Sequence, residues 1–388
     1  MPHHGRCTGR SAPLSVWTSM KRTLSVILAL CVLAVGCASP STTTTTPKST
    51  GICGPNTAPT SLATTGATGE LITLQVAIIS IPDVAPAKIA EHCGYFAEEG
   101  LKIRWTEIRG SSDAVPGLES GDTHVALWNY VTGYAIEDRR PGLARLIADA
   151  YQAENNCFLL MVAKDSPIQS LADLKWNGTG RKITIGVGTF KSVATLTAES
   201  TLRIAGVTAA DIKFVQVPLP QMAAAVQNRR VDVGWMTEPF ITFFKGEYGG
   251  RVLADVATSG TSQWPVAGWA VSTKWANAHP DLVLRFQRAL ARGQELAARD
   301  DSTVKKILPS YTHIEAATAN SIALGSFPTT LNTTRLQRVA DAMLDFSKGK
   351  ADADQYLTKR INVTDLLWQT PNSPSTSPTA LISSGVTP

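Results

Sequence analysis

One arrangement of apolar and polar residues occurs twice along this chain. Residues 71–150 alternate short apolar runs with amphipathic stretches, and residues 181–255 do so in the same order. Each copy finishes with a tight break, a short apolar strand closed by a tryptophan (Trp128, then Trp235) and a new helix start. Strands that alternate with helices predict parallel α/β sheets with right-handed crossovers. We therefore expect two doubly wound α/β domains, whose ligands bind beyond the carboxyl ends of the strands.

The chain after the second copy is helical, with apolar stripes such as Leu282, Phe286 and Leu290. These helices pack most simply if the chain returns to the first domain. The pattern then predicts two hinge crossings, near Tyr151–Cys157 and near Trp264–Ser272. The expected domain 1 comprises residues 70–156 and 273–370, and the expected domain 2 comprises residues 157–272.

The first residues have the pattern of an export signal. Met20, Lys21 and Arg22 form a positive region, and residues 24–35 are an apolar run of signal-peptide length. The run resembles a bacterial lipoprotein signal that ends at Cys37, the predicted lipidated residue, although Ala34 stands where such signals usually have Leu. We therefore predict a signal peptide over residues 1–37, with Met20 as a second candidate start. A plain secretory signal and an uncleaved anchor are the alternatives.

Two segments lack the apolar residues that a core requires. Residues 38–69 and 371–388 are rich in Thr, Ser and Pro. Such compositions cannot bury enough apolar surface to fold. We expect a disordered tether after Cys37 and a disordered tail at the end.

The charge balance excludes one class of partner. The chain has 36 basic and 31 acidic residues, but four of the basic ones precede Cys37. The remainder is therefore almost neutral, which is against nucleic-acid binding.

The cysteines predict one disulfide and no metal site. Export implies an oxidising compartment, where Cys53, Cys93 and Cys157 allow one bridge and leave one thiol. Cys53–Cys93 is slightly favoured over Cys93–Cys157. Neither a CxxC motif nor a Cys/His spacing typical of zinc is present in the sequence.

Several segments resemble one known family. Residues 81–101, 165–175, 185–192, 217–225 and 231–240 are similar to parts of the substrate-binding proteins of the nitrate/sulfonate/taurine/thiamine-precursor family, which serve ABC importers. The resemblance extends over residues 71–300. It implies the type II periplasmic-binding-protein fold, capture of a small molecule outside the membrane, delivery to ABC permease subunits and no cofactor. Together with the lipoprotein signal, it implies a monomer anchored to the outer face of a bacterial cytoplasmic membrane.

The candidate ligand-binding residues follow strand ends or precede helix starts. They are Ser80, Asp83, Ser111, Ser112, Trp128, Asn129, Tyr151, Thr189, Lys191, Ser192, Trp235, Glu238 and Trp264. Helix capping is the alternative role of the short polar residues, and core packing is that of the tryptophans. Asp83 would repel an anion or pair with a cationic group. Trp235 and Glu238 together favour a planar, nitrogen-bearing ligand over nitrate.

Two other functions compete with solute binding. An enzyme of the same fold, either cysteine desulfinase-like or pyrimidine-precursor synthase-like, would need a thiol of lowered pKa with a base nearby. Cys93 and Cys157 both lie in segments expected to be buried, and no suitable histidine is near, so we expect a non-enzyme. An extracellular sensor or adhesion lipoprotein would need an exposed apolar patch or a partner domain.

Overall fold

A computed structural model describes residues 51–53 and 70–370 of the protein. Within them, ten strands form two five-stranded sheets, with the orders β2-β1-β3-β10-β4 and β7-β6-β8-β5-β9. The strands are β1 (Ile72–Ile78), β2 (Leu101–Glu107), β3 (Val125–Asn129), β4 (Ala144–Gln152), β5 (Phe158–Val162), β6 (Ile183–Val187), β7 (Ile212–Gln216), β8 (Val233–Thr237), β9 (Arg251–Asp255) and β10 (Pro265–Ser272). We call each sheet, with the helices packed against it, the first lobe and the second lobe.

The helices cover the faces of both sheets. They are α1 (Ala85–His92), α2 (Tyr95–Glu98), α3 (Val115–Ser120), α4 (Tyr130–Arg139), α5 (Val193–Ile204), α6 (Leu219–Gln227), α7 (Phe240–Tyr248), α8 (Thr273–Ala278), α9 (Pro280–Arg299), α10 (Asp301–Ile307), α11 (Pro309–Thr312), α12 (Ala316–Ser321) and α13 (Thr333–Ser347). The expected mixed α/β architecture with two sheets is confirmed.

The sheets are mixed, which corrects the expectation of parallel sheets. β10 runs antiparallel to β3 and β4, and β5 runs antiparallel to β8 and β9. These are the first strands after each passage of the chain between the sheets. The chain leaves a lobe at the carboxyl edge of its parallel strands and enters the other sheet at the facing edge. The entering strand must therefore run against its neighbours.

The second crossing lies earlier than the sequence predicts. The whole of β10 pairs within the first sheet, so the chain changes lobes between Asp255 and Pro265 and not across residues 264–272. All eight residues of β10 are buried, as for a central strand with both faces covered. The first crossing lies between β4 and β5, where it was expected.

The late helices return to the first lobe, as expected. The ring of Phe286 on α9 lies 5.2 Å from that of Phe96 and 5.9 Å from that of Trp269 in β10. Gln294 on the same helix donates to the carbonyl of Asp149 in β4 at 2.6 Å.

The first helical stretch of the chain is divided in two. Ile89, Cys93 and Phe96 are all buried, but α1 and α2 are separate because Gly94 adopts a left-handed conformation with φ of 77°. A residue without a Cβ adopts this conformation at no steric cost, so the chain turns here. Cys93 forms the favoured disulfide with Cys53, and Cys157 is a buried free thiol. Cys37, the predicted tail and all of the predicted tether except residues 51–53 lie outside the described residues.

None of the helices in the described part of the chain has both the length and the apolar character needed to cross a bilayer.

Candidate ligand-binding cleft

A cleft opens where the carboxyl ends of the parallel strands of the two sheets face each other. It contains about 630 Å³, part of it open to solvent. Its wall combines residues of both lobes: Ile79, Ile81, Asp83, Arg109, Gly110, Ser111, Leu127, Asn129, Thr132, Phe158, Gly188, Thr189, Ser192, Val193, Ala194, Leu219, Trp235, Thr237, Val266 and Ala267. Such an edge is where ligands bind in open α/β sheets.

Asp83 follows β1 in a 3₁₀ turn, Pro82–Val84, that leads into α1. Its side chain is 2% exposed, and its Oδ2 has no hydrogen-bond partner in the structure. Burial raises the pKa of this carboxyl to about 7, against a smaller lowering by its own backbone N–H. The first-lobe wall thus contains an acceptor that the protein leaves unbonded.

Ser111 and Asn129 form the neighbouring part of the first-lobe wall. The Ser111 hydroxyl donates to the carbonyl of Leu127 at 3.3 Å and accepts from the Asn129 N–H at 2.8 Å. Asn129 is also the N-cap of α4, because its Oδ1 accepts from the Thr132 N–H at 3.3 Å. Capping and a place in the wall therefore coincide, and ligand contact by these residues stays a prediction.

The second-lobe wall begins at the N-terminus of α5. The Ser192 hydroxyl caps this helix by accepting from the Ala194 N–H at 3.2 Å and donates to the carbonyl of Thr189 at 2.8 Å. A capping box with Thr195 completes the helix start. Thr189 and Ser192 both line the cleft, as the sequence predicts.

Trp235 closes the second-lobe wall but is mostly packed. It ends up 3% exposed, its Nε1 donates to the hydroxyl of Thr197 at 3.0 Å, and its ring lies 4.8 Å from that of Phe158. Trp235 is therefore mainly a packing residue of the second lobe that also borders the cleft.

The lobes touch across the cleft. A Cβ built on Gly110 would lie 2.9 Å from Cγ2 of Thr189, so the first lobe approaches the second here more closely than a side chain would allow. The Thr132 hydroxyl donates to the carbonyl of Lys191 at 3.4 Å. Residues of the two walls are thus in direct contact at the rim.

The other predicted residues lie elsewhere. Ser80 donates to Glu107 at 2.6 Å and Ser112 is exposed, both outside the cleft wall. Lys191 donates from Nζ to the carbonyl of Ala353, which holds the amine on a segment of the first lobe. Partial burial lowers the pKa of this amine.

The remaining predicted aromatic residues are buried in packing. Trp128 packs against Gly133 of α4, and Trp264 is 1% exposed beneath the guanidinium of Arg338. The Tyr151 hydroxyl contacts the N–H of Gly325 and lies 3.6 Å from Sγ of Cys157. None of these three residues lines the cleft in the structure, and their contact with a ligand stays a prediction.

Glu238 does not line the cleft either. Its carboxylate accepts from the N–H and hydroxyl of Thr242, at 3.0 and 2.9 Å, and so serves the first turn of α7. Burial raises the pKa of this carboxyl. Glu238 is absent from the cleft wall, so its predicted pairing with an amine on the ligand stays a prediction without support from this geometry.

The wall residues that the sequence interpretation missed are mainly apolar. Phe158, Val266 and Ala267 begin the two strands that follow the crossings, and Thr237 ends β8. The strand ends were visible in the sequence, but apolar residues there look the same whether they line a cleft or pack in a core, and Thr237 has no feature that distinguishes it. Among the described wall residues, Arg109 is the only basic one, and the described part of the chain has no group of acidic, His and Cys residues suited to a metal.

Comparisons with known proteins agree with this geometry. Over 231 residues, the chain is 26% identical to a Bacillus subtilis (strain 168) protein named for aliphatic sulfonate binding. That match covers 57% of this chain and 65% of the relative, which is slightly less than two thirds of its length. The riboflavin-binding protein RibY of Chloroflexus aurantiacus is 25% identical, with 70% of this chain and 73% of RibY covered.

Solved structures show the fold. The alkanesulfonate-binding protein SsuA from Xanthomonas axonopodis pv. citri, bound to MOPS, matches with a TM-score of 0.61 at 17% identity, over 77% of this chain and 99% of SsuA. The desulfurization enzyme DSZB matches with a TM-score of 0.57 at 15% identity, over 76% of this chain and 96% of the enzyme. The periplasmic-binding-protein fold expected from the resemblance is therefore confirmed.

A family model described as NMT1/THI5 like matches residues 81–303, which is more than half of the chain. The match includes β2 to β10 and every described residue of the cleft wall except Ile79. With two lobes, a cleft at their strand ends and relatives that bind small solutes, the chain belongs to the NMT1/THI5-like family.

Proposed function

We propose that this chain is the extracytoplasmic solute-binding component of an ABC-type importer and that it encloses a small organic molecule between its lobes. The observation that carries the proposal is a cleft whose wall is built by both lobes and whose rims meet at Gly110 and Thr189. Relatives named for sulfonate and riboflavin binding support the same function. In this function, closure buries the ligand, and the closed form delivers it to the permease subunits.

Ligand-dependent closure tests this function. We expect one member of a panel of thiamine precursors, riboflavin, alkanesulfonates and nitrate to raise the melting temperature, because a ligand that binds only the folded protein stabilises it. The same ligand should reduce the radius of gyration in solution scattering, since the lobes approach each other. A stabilising ligand that leaves the scattering profile unchanged would contradict closure.

The residues of the cleft wall narrow the range of ligands that this protein would bind. The planar, nitrogen-bearing ligand predicted from sequence depended on Glu238 and on several tryptophans, of which only Trp235 lines the cleft. An inorganic anion is also disfavoured, because the only basic side chain in the described wall, Arg109, is 78% exposed and paired with Asp113 at 3.0 Å. An organic ligand with an apolar body suits a wall of Ile, Leu, Val and Phe side chains.

An enzyme of the same fold is the second candidate, favoured by the match to DSZB. Its thiol chemistry would need a thiolate in the cleft. Cys157 is buried, it does not line the cleft, and burial raises the pKa of its thiol to about 11. Cys93 is in a disulfide. We therefore propose a binding protein, and titration of the native protein with a thiol reagent should find Cys157 unreactive.

We also propose export and attachment through Cys37, followed by function as a monomer. The support is the sequence pattern of residues 20–37. Cys37→Ser should release the protein from the membrane fraction of cells that express the full chain. Retention of the Cys37→Ser protein in that fraction would point to an uncleaved anchor.

A further inference from the structure

Among the described residues of the cleft wall, Asp83 alone has a buried side-chain oxygen or nitrogen without a hydrogen-bond partner. Oδ2 of Asp83 is buried and lacks a hydrogen-bond partner, although Asp83 lies in the cleft wall. A buried acceptor without a donor destabilises a structure, and a carboxylate does so more than a neutral group. Such an atom at the wall of a binding cleft is what a ligand donor would satisfy.

The neighbours of Asp83 direct their donors elsewhere. The Tyr311 hydroxyl donates to the carbonyl of Ile81 at 3.3 Å. The Tyr151 hydroxyl is engaged with the Gly325 N–H and with Cys157. These groups stay neutral, since burial raises the pKa of both tyrosines well above its usual range and that of Cys157 to about 11.

A cation does not neutralise Asp83 either. The single basic residue in the described wall, Arg109, is held by Asp113 at the solvent side of the cleft. The rest of the wall offers hydroxyls, one amide and apolar surface. The electrostatic character of the enclosed space is therefore set by one carboxyl group.

We propose that Oδ2 of Asp83 accepts a hydrogen bond from an N–H or ammonium group of the ligand and that Asp83 thereby determines specificity. The inference rests on the proposed solute-binding function and deepens it. It assigns to the cleft a small nitrogen compound with an apolar body. The proposal also predicts that sulfonates and nitrate bind poorly. Their oxygens near this carboxylate would leave both groups without a hydrogen-bond donor, and the like charges would repel each other.

A matched pair of probes tests the proposal. Benzylamine and phenylmethanesulfonate share one ring and one methylene and differ in the sign of the head group. Calorimetric titration of the full chain at pH 8 should show at least about tenfold tighter binding of benzylamine, the order of effect that one charged hydrogen bond produces. Tighter binding of the sulfonate, or no binding of benzylamine, would overturn the proposal.

Substitutions separate specificity from folding. Asp83→Asn should abolish the preference for benzylamine, while Asp165→Asn should leave it unchanged because Asp165 is an 80% exposed carboxylate of the second lobe. Circular dichroism checks that both variants are folded, and Asp83→Ala provides a second substitution at the site. If Asp83→Asn weakens both probes equally, Asp83 has a structural role and the proposal fails.

The pH dependence gives a third readout. Benzylamine stays protonated below about pH 9, so its affinity should rise from pH 6 to pH 8 as Asp83 ionises, and Asp83→Asn should remove this rise. The neighbouring Tyr151, Tyr311 and Cys157 do not titrate in this range. An affinity that falls over this range would show a protonated Asp83 donating to the ligand and would contradict the proposal. Failure of every panel compound to close the protein would instead reject the solute-binding function itself.

Discussion

The two walls of the cleft differ in how completely their polar atoms are bonded. In the second lobe, Ser192 caps α5 and the Trp235 indole donates to Thr197, so both are committed to their own lobe. In the first lobe, Asp83 is buried without a partner at Oδ2. No side-chain polar atom in the described part of the second wall is both buried and unbonded, whereas the first wall has one such atom at Asp83.

The largest effect on the free energy of unfolding is expected at Trp235 in the second wall. Trp235→Ala should lower the free energy of unfolding by about 3–5 kcal/mol, because it empties a buried site and removes the bond to Thr197. Urea unfolding measures this loss. The control is Trp176→Ala, at a 40% exposed tryptophan, which should cost about 1 kcal/mol or less. Equal losses would show that Trp235 is not part of the core.

Replacing Asp83 in the first wall should have the opposite effect and raise the free energy of unfolding of the empty protein. Asp83 has a folded-state pKa of about 7 against 3.8 for an ordinary carboxyl, so its ionised form destabilises the empty protein. The penalty is absent below about pH 4, grows as pH rises and is complete above about pH 7, where Asp83→Asn should be more stable by up to about 4 kcal/mol. Unfolding at pH 4 and pH 8 measures this difference. A variant that is less stable than the parent at pH 8 would mean that Oδ2 is bonded in solution.

The contact between the walls gives an intermediate effect. Gly110 has a φ of −174°, which any residue adopts, so Gly110→Ala should disturb only the approach to Thr189. Overpacking of this size typically costs about 1–3 kcal/mol, and here it should appear as weaker ligand binding with unchanged stability. Thr189→Ala in the same chain should restore part of the affinity. Additive losses in the double variant would show that the two residues do not meet in the bound form.

The smallest effect concerns the ion pairs that join the lobes away from the cleft. Lys350 donates to Glu199 of α5 at 3.0 Å, with both side chains partly buried, and Arg203 pairs with Asp345 at 3.0 Å in a more exposed position. Lys350→Ala should weaken binding by about 1 kcal/mol, and Arg203→Ala by less, since exposed pairs contribute little. Both effects should shrink at high salt, which calorimetry at two ionic strengths measures. Equal effects would mean that burial does not distinguish the pairs.

The positions of the elements could be predicted from the sequence better than their directions. Alternating strands and helices gave the two sheets, and the ends of the strands located Asp83, Ser111, Asn129, Thr189 and Ser192 at the cleft. The antiparallel course of β5 and β10 depends on which edge of the other sheet the chain enters. No local pattern contains that information, and the second crossing was misplaced for the same reason.

The direction in which a single side chain points could not be predicted from the sequence either. Trp128 lies one residue before the end of β3, and Trp235 lies in the middle of the equivalent strand β8. Only Trp235 lines the cleft, while Trp128 packs against Gly133. Glu238 looked like a ligand group but bonds the start of the next helix. In both cases the side chain contacts the helix that follows its strand, and the residue types alone do not show which way it turns.

The first strands after the two crossings, β5 and β10, begin in the wall of the cleft. Phe158 opens β5, and Val266 and Ala267 lie at the start of β10, all in its wall. A ligand in contact with these residues would lie beside the two passages of the chain between the lobes. In the proposed closure the lobes turn about these passages, so a small difference in ligand width there would become a larger difference in the separation of the lobes at the cleft opening. The size of the ligand would then set the shape that the protein presents to its permease.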